Sequence, residues 1–378
     1  MNILILDPRQ GKGISKNKVT EYQLYGFAKC LRELGVNIKV GVSESSYEFF
    51  DFESFDISNN ENLKRVNDFD AVILSLYNGN YYAGMENIHE TLTIRFLAEF
   101  KKEIYYFFTD AYMTFKDFSE TVSKKKNWSC SNDNPDLYKV NDLNILIHSF
   151  NINVSKRACL LNKANIKRIV NFPVQLSSFY LDDIVYEDYD KIEKKYDVGY
   201  SMGSFSGYKY IKRALRINEF LFDTSLNAAL SGKVKLKDFD SAGIEYKNPP
   251  VFLGKVKFNE LASRNKEFLS TVIISDNKFN NHFYVLRLFE AFLTDQIVFI
   301  DEKYDKNHII FNDSFRYVSS KKDLQDRIIE LKANTSLKRE LINEQREFMI
   351  DGKYSKRAFR ESCKAFIKYM EANNEKIC

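Results

Sequence analysis

Two short stretches hold the residues best placed to do chemistry. The run from Ile104 to Asp110 (IYYFFTD) is β-branched and aromatic and stops on a carboxylate. A buried strand that delivers an acid to the carboxyl edge of an open α/β sheet reads this way, and ligands bind at that edge. The second stretch, Phe283 to Glu290 (FYVLRLFE), puts Arg287 and Glu290 three residues apart in an otherwise apolar run. On a helix both would point the same way. An acid in one half and an Arg/Glu pair in the other predict a site built from two domains.

The elements around these residues must hold them in place. The first half alternates strand and helix: strand Ile3–Leu6, helix Val19–Leu34 stopped by Gly35, strands Val36–Val42 and Ala71–Leu76, helix Ile88–Phe100, strand Ile104–Phe108. Such alternation with short connections predicts a parallel, doubly wound sheet. Residues 116–142 carry Lys124, Lys125, Lys126 and Trp128 among many Asn, Asp and Ser, and read as a mobile loop. The second half repeats the logic. Strand Asp197–Tyr200 leads into a Gly/Ser turn over 201–207, then a basic helix Tyr208–Phe222. Short strands at Val251–Phe252, Thr271–Ile274 and Ile297–Ile300 follow, then amphipathic helices Leu324–Met349 and Tyr354–Met370.

Composition bounds the function classes. At 378 residues, with 44% hydrophobic, the chain favours two domains over one core. Its net charge of +4 provides no strong global field, so polyanion binding would need a local basic face. The five cysteines are scattered without a Cys-x-x-Cys, which argues against a disulfide framework or zinc site and for a reducing cytosol. The four histidines form no ligand spacing, and no P-loop or Gly-x-Ser-x-Gly elbow is present. The start reads directly as a strand, without signal-peptide features, and no apolar run approaches the roughly 20 residues of a membrane span.

Several blocks match a known family in order: Ile104 to Asp110, Glu219 to Thr224 (EFLFDT), Val251 to Val256 (VFLGKV) and Asp276 to Asp301. In these the chain resembles the T-even phage DNA β-glucosyltransferases, from the first strand to about Leu331. Those enzymes move glucose from UDP-glucose to 5-hydroxymethylcytosine in duplex DNA. The resemblance implies a fold of two Rossmann-like domains facing a cleft (GT-B type). The boundaries are 1–177, joined by a returning C-terminal helix 356–378, for the DNA-binding domain and 178–355 for the UDP-sugar domain. It implies an inverting, UDP-sugar-dependent DNA glycosyltransferase, acting as a monomer in the cytoplasm of the infected bacterium and shielding phage DNA from host nucleases.

Residue roles follow from the same resemblance. Asp110 falls on the catalytic carboxylate, which would take the proton of the acceptor hydroxyl as that oxygen attacks the anomeric carbon. Two cations one helical turn apart, after a Gly203-Ser204-Phe205 turn, would meet the leaving diphosphate. Counting back from Glu219 selects Lys209 and Arg213, with Lys212 and Arg216 as the competing pair. Backbone N–H groups from Gly203 through Ser206, at a helix start, would add anion binding. Arg287 would reach a phosphate and Glu290 the ribose hydroxyls, while the backbone of Val256 faces uracil. Asp276 lies near donor or metal, and Phe279 replaces a family Tyr.

Asn80, Tyr81 and Tyr82 match a loop that would hold a flipped base, and Lys124, Lys125 and Lys126 would touch phosphates. Gln23 stands where the family has a sugar-binding glutamate, with Glu21 two residues earlier. This leaves UDP-glucose and a pentose donor such as UDP-arabinose both open. A divalent ion, Mg²⁺ or Mn²⁺, would be held mainly by phosphate oxygens and water, so no protein metal ligand is named. The alternatives are a transferase for an already glycosylated base or a sugar, and a DNA-binding homologue without catalysis.

Overall fold

The computed structural model describes residues 1–6, 19–42, 51–76, 99–108, 144–147, 168–171, 186, 193–204, 210–256, 258–274, 286–306, 308, 310–352 and 355–374. These divide into two compact units, residues 1–182 with 356–378, and residues 183–355.

The first unit is built on seven strands: β1 (Asn2–Leu6), β2 (Asn37–Val42), β3 (Glu53–Asp56), β4 (Ala71–Leu76), β5 (Glu103–Phe108), β6 (Asn144–Ile147) and β7 (Arg168–Asn171). Their order is β3-β2-β1-β4-β5-β6-β7, and every pair is parallel. Ile3, Leu4, Ile5 and Leu6 are all buried. That continuous apolar run is what a central parallel strand covered on both faces needs. Helix α1 (Val19–Glu33) turns Leu24, Phe27, Ala28 and Leu31 inward. α2 is a single short turn, Asn60–Lys64, capped by the Asn59 side chain.

The second unit has six strands: β8 (Tyr196–Ser204), β9 (Ala228–Lys233), β10 (Val251–Phe252), β11 (Phe268–Ile273), β12 (Ile297–Asp301) and β13 (Tyr317–Val318). They run parallel in the order β10-β9-β8-β11-β12-β13. Helices α3 (Tyr210–Leu221), α4 (Leu236–Asp240), α5 (Phe258–Lys266) and α6 (Leu286–Leu293) alternate with the strands, and α7 (Lys321–Ala333) and α8 (Thr335–Ile350) follow. Two glycines permit close approach in this sheet. A Cβ on Gly199 would stand 2.1 Å from the Phe268 ring, and one on Gly232 would meet the Met202 carbonyl oxygen at 2.2 Å.

Both sheets reverse their strand order beside the first strand, between β1 and β4 and between β8 and β11. These are the topological switch points at which open α/β sheets bind ligands, outside the carboxyl ends of the strands.

Two sequence expectations need correction. The Gly/Ser turn expected from residue 201 is strand up to Ser204: β8 continues through Gly203, with a register shift between Ser201 and Ser204 against β9. The single helix expected over Leu324–Met349 is two helices. Asn334 takes φ −120 and ψ 90, and its side-chain oxygen accepts the Leu337 N–H at 3.0 Å, so it ends α7 and caps α8. An amide that competes for backbone donors favours this position over a helix interior.

The last helix, α9 (Lys356–Asn374), belongs to the first unit. It packs on α1, where Phe27 meets Phe366 at 5.9 Å and the buried thiols of Cys30 and Cys363 share a hydrogen bond. The Tyr105 ring on β5 meets Phe366 edge-on at 5.2 Å, and Arg360 donates to Glu33 at 3.2 Å.

Candidate active site

The second unit gathers the best-defined part of the site. Helix α6 buries Leu288, Phe289, Ala291 and Phe292 completely, and its two polar residues, Arg287 and Glu290, stay half-buried. A surface i,i+3 ion pair would have been the ordinary use of this spacing. Among the described residues, however, neither forms an ion pair. Arg287 instead lies with its Cζ 4.5 Å from the centroid of the Tyr200 ring, and its Nη1 is buried with no hydrogen-bond partner there. Burial pushes the Glu290 carboxyl up to about 7, and the charge of Arg287 pulls it partly back.

The neighbouring strands place the other candidates. Gly203 and Ser204 form the carboxyl end of β8, and Tyr200 lies four residues before Ser204. The Tyr200 hydroxyl donates to the Ile274 carbonyl at 3.3 Å, just past the end of β11. Val256 follows β10, where the Leu253 N–H binds Leu230 O at 2.9 Å and the Gly232 N–H binds Gly254 O at 2.8 Å. Arg213 lies in the first turn of α3, half-buried.

The competing cation on α3 is used otherwise. Arg216 sends Nε to Asp301 Oδ2 at 2.7 Å and Nη2 to Asp301 Oδ1, and also pairs with Glu219. Its guanidinium lies 4.7 Å from the Phe220 ring centroid. A bidentate pair to a carboxylate that is 1% exposed is structural, and it leaves Arg216 little capacity for a ligand. Lys212 lies on the same helix, with its side chain outside the described residues.

Residues 12–178 match the family model described as Bacteriophage T4 beta-glucosyltransferase. The DNA beta-glucosyltransferase of Enterobacteria phage T4 is 28% identical over 340 residues, covering 90% of this chain and 92% of the relative. The solved structure of T4 phage BGT in complex with UDP and Mn²⁺ superposes with a TM-score of 0.74 at 25% identity, covering 98% of this chain and 99% of that one. The chain is thus similar to the T4 β-glucosyltransferase over most of its length, and its amino-terminal part matches that family's model. A more distant structure, an alpha-glucosyltransferase in complex with UDP-glucose and DNA containing an abasic site, shares the fold at a TM-score of 0.60 and 14% identity, over 98% of this chain and 99% of that one. Two parallel-sheet α/β units of the GT-B type are thus the architecture here.

Several family-implied positions lie outside the described residues: Asp110, Asn80, Tyr81, Tyr82, Lys124, Lys125, Lys126, Lys209, Asp276 and Phe279. Glu21 and Gln23 are in α1, in its first turn and a half, with their side chains also outside. Strand β5 ends at Phe108, two residues before Asp110, and β4 ends at Leu76, four before Asn80. Among the described residues no group of three or more His, Cys, Asp or Glu could hold a metal ion. No helix of the described residues is long and apolar enough to cross a membrane.

Sequence reasoning missed the Tyr200–Arg287 contact and the Arg216–Asp301 pair. Neither had a local signal, since the partners are 87 and 85 residues apart in the chain.

Proposed function

We propose that the protein is an inverting UDP-sugar-dependent glycosyltransferase acting on the hydroxyl of 5-hydroxymethylcytosine in duplex DNA. The observation that carries this reading is the half-buried Arg287/Glu290 pair on α6. Neither side chain neutralises the other by contact, so both remain available to a ligand, in a chain similar to the T4 β-glucosyltransferase. A cation with in-plane donors and a carboxylate one turn away suit a phosphate and the two ribose hydroxyls of one nucleotide.

The roles are then as follows. Arg287, Arg213 and Lys209 hold the diphosphate and meet the charge that grows on it as it leaves. Gly203 and Ser204 bring the end of β8 to the phosphates, the Val256 backbone faces uracil, and Glu290 accepts from the ribose. Asp110 takes the proton of the acceptor hydroxymethyl group. The freed oxygen bonds to the anomeric carbon, the bond from that carbon to the β-phosphate oxygen breaks, and UDP leaves with the electron pair from the opposite face. Asn80, Tyr81 and Tyr82 hold the flipped base, and Lys124, Lys125 and Lys126 engage the DNA backbone. The first helix, through Gln23 and Glu21, contacts the transferred sugar, with Asp276 beside it. A divalent ion bound by diphosphate oxygens and water would supply further charge neutralisation on the leaving group.

The test is mass spectrometry of nucleosides from hydroxymethylcytosine DNA incubated with the protein and a panel of UDP-sugars. A hexose-sized gain from UDP-glucose supports the family's reaction and makes Gln23 a tolerated change. A pentose-sized gain with UDP-glucose inert would keep the DNA transferase and assign donor choice to the first helix. No gain from any donor overturns the acceptor assignment.

A further inference from the structure

We propose that Tyr200 is the positioning residue for Arg287, holding its guanidinium against the ring so that N–H donors are left for the ligand. The proposal rests on the nucleotide-diphosphate reading of the site and adds a residue to it.

Other arginines of the second unit also lie over aromatic rings: Arg216, Arg316 and Arg346 stand 4.7, 4.2 and 4.6 Å from the ring centroid. Each also gives N–H donors to a carboxylate: Asp301 for Arg216, Glu344 for Arg316, Asp295 for Arg346. Arg287 has the ring alone, at 4.5 Å, with Nη1 buried and without a partner among the described residues. A guanidinium carries its five donors in its plane, whereas a ring stacks on its face. With Cζ 4.5 Å from its centroid, the Tyr200 ring holds the cation while no carboxylate among the described residues takes its donors. A carboxylate partner would have consumed two.

Tyr200 is built to be a fixed platform. It is fully buried on the central strand β8, between β9 and β11. Its far end is tied by the hydroxyl to the Ile274 carbonyl, across the switch point of the sheet. Ring and hydroxyl thus join the middle of β8 and the residue after β11 to the cation on α6. Holding a donor in place before the ligand arrives reduces the ordering cost of binding.

The experiment is titration of UDP into wild type, Tyr200→Phe, Tyr200→Leu, Arg287→Ala and the Tyr200→Leu/Arg287→Ala double variant, with a thermal melt of each. Tyr200→Phe keeps the ring and should bind UDP within about threefold of wild type. Tyr200→Leu should weaken UDP about tenfold, in the range of a desolvated cation–π contact. The double variant should bind no more than about twofold more weakly than Arg287→Ala alone, because the ring acts only through that cation. A double variant whose losses multiply indicates general loosening of the sheet and overturns the proposal, as does wild-type affinity in Tyr200→Leu. If Tyr200→Leu does not fold, Tyr200→Met carries the same cycle with an apolar side chain of similar reach. Loss of affinity in Arg287→Ala with none in Tyr200→Leu removes the positioning role but leaves the nucleotide reading standing. Unchanged affinity in Arg287→Ala removes both.

Discussion

Arg216 on α3 and Arg287 on α6 are the same residue type, each half-buried on a helix of the second unit, each against an aromatic ring. Arg216 closes a bidentate pair with the buried Asp301 at the end of β12. Among the described residues Arg287 closes none, and Glu290 one turn on has its own carboxyl held toward its neutral form by burial. On the proposed reading of the site, the difference separates a cation that completes the fold from one kept for a ligand. Burying a charge without a partner is costly, and such sites are where ligands are expected to supply the missing contact.

That contrast can be broken by exchanging the expected phenotypes. Arg216→Ala should cost the most stability, about 3–5 kcal/mol by denaturant unfolding, because it strands the Asp301 carboxylate. Its donor KM should stay near wild type. If Arg216→Ala instead folds normally and loses donor binding, Arg216 belongs to the site and Lys212 returns with it. Arg287→Ala should do the reverse, lowering kcat/KM for the UDP-sugar by about 100-fold, roughly 3 kcal/mol, while its melting temperature moves by only a few degrees.

Glu290 sharpens the comparison through pH. Its carboxyl titrates near 7 in the folded chain, against a usual value of 4.5. The folded state therefore binds more protons than the unfolded one between those values, and stability falls as pH rises from about 4.5 to 7. Glu290→Gln removes that loss. The variant should be more stable than wild type above pH 7, by about 1–2 kcal/mol once the residue's partial exposure is allowed for. The gap should close below pH 4.5. A constant gap across the range would mean that the carboxylate is solvated and poorly placed to hold a ribose. The smallest effect is expected away from the site: Asn334→Ala should cost about 1 kcal/mol, the loss of one helix cap, with no change in catalysis.

Legibility followed locality. β4 and β5 stood out because each is a dense apolar or aromatic run, and α6 because its two polar residues interrupt an apolar helix at one-turn spacing. β9 escaped notice: Ala228, Ala229, Ser231 and Gly232 have weak strand propensity, and only burial between β8 and β10 explains the strand. The extension of β8 through Gly203 escaped for the same reason. Of the site, the Arg287/Glu290 pair was visible from spacing, whereas the choice among four cations on α3 was not. Only the distant Asp301 shows which purpose Arg216 serves. Family resemblance supplied the remaining roles, residue by residue.

The placement of α9 in the first unit has a consequence for how the chain is made. Residues 183–355 are in effect an insertion within a domain whose final piece is synthesised last. Until Phe359, Cys363 and Phe366 leave the ribosome, Phe27, Cys30 and Tyr105 lack the apolar cover they have in the finished protein. The second unit, contiguous in sequence, can close its own core first. Assembly thus runs against the direction of translation, and the amino-terminal domain is the last to be completed.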